Sequence, residues 1–423
     1  MFKKAATLLL FFFMVISCCG ENHGMTVRPY LSQVTENSIV VNWHTAIPLA
    51  SAIAYGETTA CKLTVNDGTK TRFHSIKIAG LKPSTKYYYR ILSNGKTEVY
   101  QFRTAVRAGE EFSFAVYGDT QPNNQNHVDI LTRILKTHPL LIMNVGDLVH
   151  SDHEADWQDY FSVVCDKTKA GETVPIYSTM GNHDKSENVY DSLYFRYASL
   201  PVNHFDNTEA YYSFNIGNAH FVVLNNYLSF DPASPQYKWF AEDLKKHSLY
   251  KWKIAFIHEP FYSTGKHGGN MHQRRVLEPL FGKGGITLVF SGHDHLYQRT
   301  KIIKGITYIV TGGGGAKLYN ARQDERINII DKSRHFCNVR ITPDQCEIEM
   351  IRSDGTIGDR LVIKQPNNAF SKGADFEKRR DRTPEENTPQ VLQSESIAWR
   401  RFLYNLSVIF SSGGHRFLNA KGG

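Results

Sequence analysis

Residues 140–152, LLIMNVGDLVHSD, begin as a buried strand and end on a glycine, a carboxylate and a histidine. A short, nearly continuous apolar run of this kind reads as a strand covered on both faces. Its end is not ordinary turn chemistry, because Asp147 follows Gly146 and His150 lies three residues further on. One Asp after a glycine is usually a turn residue. The same grammar recurs at four more strand-like runs. Asp119 ends FSFAVYGD (112–119), and Asn182 and His183 close TVPIYSTMGNHD (173–184). His258 closes the apolar part of KWKIAFIHEP (251–260), and His293 and His295 close GITLVFSGHDH (285–295). In an open α/β sheet the carboxyl ends of the strands form the ligand-binding edge. Apolar strands that are each tipped with oxygen or nitrogen donors gather those donors in one place, so Asp147 is read as facing a metal ion.

Between these runs lie polar helix candidates, over 124–136 and near 271–281. The strand–helix–strand rhythm argues for an α/β domain over residues 110–366. Residues 25–105 differ. SIVVNWHTA (38–46), SAIAYGE (51–57) and LKPSTKYYYRILSNGKTEVYQFRT (81–104), with its SNGK turn, read as short strands without helical periodicity. They predict a small all-β sandwich. Residues 367–423 form a separate tail: a charged linker over 367–392, then ESIAWRRFLYNLSVIFSS (395–412). That last run fits a membrane-surface helix and a helix packed on the protein's own core equally well.

The chain has 423 residues, 41% of them hydrophobic, enough for two or three domains with a sizeable core. Its net charge of +8 comes largely from the first few and last sixty or so residues, which makes it a weak argument for nucleic acid and reads as scattered surface lysine, and no nucleic-acid-binding module is evident. The start, MFKKAATLLLFFFMVISC (1–18), has two lysines and an apolar run too short to span a bilayer. It reads as an export signal. VIS before Cys18 resembles a bacterial lipobox, which predicts a lipid-modified Cys18 and a membrane-anchored lipoprotein at the cell envelope; plain secretion is the alternative. Four cysteines remain beyond the signal. Hairpin counting around TPDQ (342–345) sets Cys346 opposite Ile341 rather than Cys337, so no bridge between the two cysteines is expected.

The donor set of carboxylate, amide and imidazole without thiolate suits borderline cations such as Zn²⁺, Fe or Mn²⁺. Six donors (Asp119, Asp147, Asn182, His258, His293 and His295) are too many for one open catalytic ion and fit two ions sharing a bridging Asp. The order GD…GDxx…GNHD…H…GHxH resembles the calcineurin-like metallophosphoesterase superfamily. GHDHLYQR (292–299), with the preceding region and its fibronectin type III-like signature GLKPSTKYYYRI (80–91), resembles the purple acid phosphatases more narrowly. The resemblance covers residues 25–365. It implies a metallophosphoesterase sandwich of β-sheets flanked by helices, with Asp119 and His295 on the first metal. It further implies that Asp147 bridges, that Asn182, His258 and His293 hold the second metal, and that His183 and His267 face the phosphoryl group, with His272 competing for the latter place. Asp184 is read as orienting the His183 ring.

Two positions depart from the pattern. Purple acid phosphatases have GDxxY, whose tyrosinate binds ferric iron and gives the colour; here GDLVH places His150 there, as a candidate nitrogen ligand of a divalent ion. Other members carry Asp-x-His at the first motif, where this chain has Gln121. The implied reaction is phosphomonoester hydrolysis by a metal-bridging hydroxide attacking phosphorus in line, with imidazole protonating the leaving group. A phosphodiesterase or nucleotide hydrolase on the same core, with specificity in loops 184–210 and 226–236, is the alternative. A non-catalytic surface protein is disfavoured because all six shared donors are present. TGGGGA (311–316) has neither P-loop nor dinucleotide spacing and reads as a tight backbone passage beside the metals. Tyr297 and Arg299 read as supports of the last histidine loop.

Overall fold

The structure is a computed structural model that describes residues 24–92, 98–121 and 125–364. The export signal with Cys18 and the 367–423 tail lie outside the described residues. The N-terminal strands are β1 (Met25–Ser32), β2 (Ser38–Gly56), β3 (Leu63–Ala79), β4 (Lys86–Ile91) and β5 (Tyr100–Arg103). Alternation buries Tyr87, Tyr89 and Ile91 of β4 while Lys86 faces water, as a strand with one covered face requires. The part is all-β, as expected, and its strands are linked through hydrogen bonds into one continuous sheet. The reason is the 19-residue β2. Its first half pairs β1, its second half pairs β4, and β3 runs beside it past bulges between His44 and Ser51.

The next strands are β6 (Phe112–Tyr117), β7 (Leu141–Asn144), β8 (Ile176–Ser178), β9 (Tyr212–Ile216), β10 (Ala219–Val223) and β11 (Trp252–Phe256). They are followed by β12 (Leu288–Ser291), β13 (Tyr297–Thr300), β14 (Thr307–Thr311), β15 (Ile327–Asp331), β16 (His335–Ile341), β17 (Gln345–Arg352) and β18 (Ile357–Lys364). The helices are α1 (Gln125–Leu135), α2 (Glu154–Phe161), α3 (Ala170–Thr173), α4 (Tyr194–Tyr197), α5 (Pro235–Lys246) and α6 (Met271–Gly284). The two long ones start where the sequence caps them. Ser234 accepts from the Tyr237 amide before α5, and Asn270 accepts from the Gln273 amide at 3.1 Å before α6.

These strands make two sheets. One has the order β18-β17-β16-β6-β7-β8, and the other β15-β13-β14-β12-β11-β10-β9. Their apolar faces meet through Phe114 against Phe221 (ring centroids 5.1 Å) and Tyr177 against Phe214 (4.1 Å). The core continues into the N-terminal sheet: the Tyr30 hydroxyl donates to the Tyr197 carbonyl at 2.8 Å, and Tyr89 donates to the Glu172 carbonyl at 2.9 Å. In the β16–β17 hairpin Ile341 faces Cys346 and Cys337 faces Met350, and all four described cysteines are free and buried. What positions the site is the run of parallel pairs, β6–β7–β8 in one sheet and β10–β11–β12–β14 in the other. Their carboxyl ends open on the same edge.

Candidate metal centre

At that edge the backbone leaves the regions that side chains prefer. Asp119 (φ 56°), Asp147 (φ 54°) and His293 (φ 68°) are left-handed, as is Gly146 (φ 97°). Each non-glycine residue there costs about 1 kcal/mol or more and persists only where its surroundings hold it. The holding groups are visible. The Asp119 carboxylate accepts the His293 amide at 2.9 and 3.1 Å, and Asp147 accepts the His183 amide at 3.0 Å.

Two groups of donors result. Asp147, His258 and His293 place one ligand atom each within 4.8 Å of one another, and so do Asp119, Asp147 and His295. Asp147 is common to both. The Asn182 side-chain oxygen joins the first group, 3.3 Å from His258 Nε2. His258 Nε2 lies 3.4 Å from Asp147 Oδ1, and His295 Nε2 lies 3.5 Å from Asp119 Oδ1. The opposite nitrogens of these two rings face carbonyls: His258 Nδ1 that of Val145 and His295 Nδ1 that of Lys317, both at 2.8 Å. A carbonyl only accepts, so each ring carries a proton on Nδ1, which leaves Nε2 as the nitrogen turned toward the carboxylates and the one a metal ion would take. That tautomer is the one a metal-binding histidine needs.

The electrostatics also suit cations. Burial pushes the Asp119 carboxyl well up; the His258 charge opposes this and the Asp147 carboxylate adds to it. Burial works against charge on Asp147 too, yet His258 facing it holds that carboxyl below the usual carboxylate range. His258, although burial favours its neutral form, is pushed up to about 10 by Asp147 and Asp119. Without an ion, the His258 charge and the Asp147 carboxylate face each other across the site. A third His–Asp group, His220, Asp243 and His247, lies at the other end of β10. There the rings stack at 4.1 Å and His220 Nε2 lies 2.7 Å from Asp243 Oδ2. Asp243 also accepts from Ser213 at 2.7 Å. That group is a closed polar clamp.

The remaining sequence-predicted residues divide. His183 Nε2 lies 4.0 Å from Asp147 Oδ2, with Nδ1 on the His150 carbonyl at 2.6 Å. The exposed His267 ring packs 4.3 Å from His293. His150, expected as a ligand, is in neither donor group: its exposed ring stacks 5.7 Å from His183, and only its carbonyl serves the site. Asp184, expected to orient the His183 ring, does something else. One of its oxygens accepts the Gly181 and Asp147 amides and the other the Leu148 and Val149 amides, at 2.8–3.1 Å. Burial and the Asp147 charge push it up to about 7 against those bonds. Tyr297 and Arg299 turn away to Asp359, with the guanidinium bidentate at 2.5 and 3.0 Å, and so are supports. Sequence reasoning passed over Asp294, fully buried between the two histidines of GHDH, which takes the His267 amide at 2.9 Å. It also passed over Tyr319, whose ring stacks 4.2 Å from His295. Asp294 had a local signal in its place between two donors, whereas Tyr319 had none.

A fold of two facing mixed sheets, with a carboxylate shared by two donor groups at the ends of their parallel strands, fits a centre for two metal ions. Comparison agrees. The calcineurin-like phosphoesterase family matches residues 112–297, and the purple acid phosphatase N-terminal domain matches residues 26–104. Among curated relatives, purple acid phosphatase 15 of Arabidopsis thaliana is 29% identical over 57% of this chain and 53% of its own length. Purple acid phosphatase 21 of the same plant is 32% identical over 58% of each. The chain thus spans a little over half the length of these relatives. Among solved structures, a purple acid phosphatase from yellow lupin (Lupinus luteus) seeds superposes with a TM-score of 0.69, at 18% identity, over 80% of this chain and 74% of its own. PhoD superposes with a TM-score of 0.62, at 13% identity, over 81% and 90%. The chain therefore carries a calcineurin-like phosphoesterase domain preceded by a purple acid phosphatase N-terminal domain.

Proposed function

We propose that this protein is a dinuclear-metal-dependent phosphoester hydrolase acting on phosphomonoesters. The observation that carries the reading is Asp147, whose carboxylate belongs to both donor groups. Asp119 and His295 would complete one ion's protein ligands, and Asn182, His258 and His293 the other's. Two such ions supply an activated water and neutralise phosphoryl oxygens. The chain supplies the rest. Asp184 and Asp294 fix the loops that carry the donors, while the carbonyls of Val145 and Lys317 fix the two imidazole tautomers. His183 and His267 border the donors on the accessible side, where an imidazole can pass a proton to a departing alkoxide. The proposal includes export directed by residues 1–18, with Cys18 as the membrane anchor.

Asp147→Asn is the direct test. It keeps the shape and removes the charge both ions need, so metal content is expected to fall from about two equivalents and turnover of p-nitrophenyl phosphate by roughly 1000-fold or more, with the fold intact. Unchanged turnover refutes the site. Metal-loaded protein that prefers bis(p-nitrophenyl) phosphate places the enzyme among diesterases.

A further inference from the structure

The loop from Ser263 to His267 is wrapped on Asp294, the buried residue between the donor histidines His293 and His295. The Ser263 hydroxyl and the His267 amide, the latter at 2.9 Å, both donate to its carboxylate. A Cβ on Gly265 would lie 2.5 Å from the carbon of that carboxylate, so glycine is what lets the loop come so close. Thr264 ties the loop at a second place. Its amide and hydroxyl donate to the Gln298 side-chain oxygen at 3.1 and 2.7 Å. Its carbonyl accepts the Arg322 amide at 3.3 Å, which joins the loop to the segment that carries Tyr319.

That segment closes over His295. Tyr319 donates its amide to the His295 carbonyl at 2.9 Å and lays its ring on the imidazole, 4.2 Å away and 15° from parallel. Lys266 places its ammonium 4.9 Å from the centre of the Tyr319 ring, inside the range of a cation–π contact. The charge therefore stands two ring contacts from a metal donor. His267, the next residue, packs 4.3 Å from the His293 ring and 5.6 Å from that of Tyr319. Lys266 is exposed, and among the described residues no carboxylate pairs with it. The loop thus holds an uncompensated cation at the rim of the centre.

On the phosphoester reading His267 faces the departing alkoxide, so the leaving group lies beside Lys266. Two metal ions answer the charge of the phosphoryl group. An ammonium one residue from His267 answers charge on whatever that phosphoryl group is attached to. We infer that Lys266 is a specificity-determining residue that selects phosphomonoesters whose leaving group carries a second anionic group, a carboxylate or a second phosphate, close to the ester oxygen. The inference rests on the phosphoester reading and deepens it by naming the substrate class. An ammonium is a compact point charge with rotatable donors and demands no planar partner, so it takes either anion.

The test is Lys266→Gln in the metal-loaded full chain at equal metal content, with phosphoglycolate and ethylene glycol bisphosphate as the anionic probes. The quantity read is kcat/KM for each probe divided by that for p-nitrophenyl phosphate, so a general change in turnover cancels. For at least one probe this ratio is expected to fall about fivefold in the variant, the size of an exposed charge pair. The fall should lie mainly in KM and shrink as salt is added. A fall confined to phosphoglycolate assigns the second group as a carboxylate, and one confined to the bisphosphate assigns it as a phosphate. Ratios that match the parent's overturn the inference, even where all three substrates slow together, because Lys266 would then attract any phosphate alike. A parent that turns over p-nitrophenyl phosphate and neither anionic probe also removes the inference alone. A parent that takes up no metal and turns over none of the three ends the phosphoester reading and this inference with it.

Discussion

Asp184 takes two backbone amides on each carboxylate oxygen, and those amides belong to the Gly181 turn and to residues 147–149. It joins the segment bearing Asp147 to the segment bearing Asn182 and His183. Ionised carboxylates accept such bonds strongly, about 1.5–3 kcal/mol each against a neutral partner. Asn at this position keeps one acceptor and turns an NH₂ toward two N–H groups. Asp184→Asn is therefore expected to lower stability by about 2–3 kcal/mol and to weaken metal binding, although Asp184 is in neither donor group. Denaturation and elemental analysis check this: a variant with parental stability and full metal content would mean that the four amides are not what sets the loops. Reading Asp184 as the partner of its neighbour His183 failed for a physical reason. Adjacent side chains diverge in a tight turn, and the carboxylate found the convergent amides of another segment.

The elements around the centre depend on loops without side chains. A Cβ on Gly312 would meet the Asp294 carbonyl and stand 2.8 Å from Asp119 Oδ2, and one on Gly314 would meet the Gly118 carbonyl. TGGGGA is thus the tight passage its sequence suggests. Gly312→Ala is expected to displace Asp119 and lower phosphatase turnover by roughly 100-fold or more, while circular dichroism keeps the strand signature; an active variant would show that the passage yields. Much at this scale was legible. Apolar runs gave the parallel strands, and their O- and N-bearing tips gave Asp119, Asp147, Asn182, His258, His293 and His295, because strand and tip are local in sequence. The Ile341–Cys346 register followed from counting across a short turn. Features resting on distant pairing were not legible. The continuity of the N-terminal sheet depends on how β2 bends past bulges between partners on both sides, and the direction of the His150 ring depends on its stacking against His183.

Across the whole molecule, several histidines outside the two donor groups are buried as neutral rings. His74 sits between the Ser51 and Thr45 hydroxyls at 2.8 and 2.9 Å, and burial lowers it to about 4. His335 in β16 is likewise lowered by burial to about 4, and His127 in α1 by burial to about 3. Each has a folded pKa below its unfolded value of about 6.5. Their contribution to stability is complete above pH 6.5 and drains away as pH falls toward 4, because only the unfolded chain takes the proton in that window. The centre's own carboxylates titrate in the same range, so a single pH profile does not isolate this effect, whereas a difference between two proteins does. His127→Phe keeps an aromatic ring beside Tyr117 and Tyr160 (5.8 and 5.9 Å) and removes one titrating site. All other groups are common to both proteins and cancel. The variant is expected to lose some stability at pH 7 with the Tyr117 hydroxyl bond. Relative to the parent it should then recover about 2 kcal/mol between pH 7 and pH 5, at about 1.4 kcal/mol per pH unit below 6.5. Urea denaturation of the two chains at both pH values measures that difference. Parallel pH dependences would show that His127 already carries its proton in the fold, and that acid reaches this interior more readily than its complete burial implies.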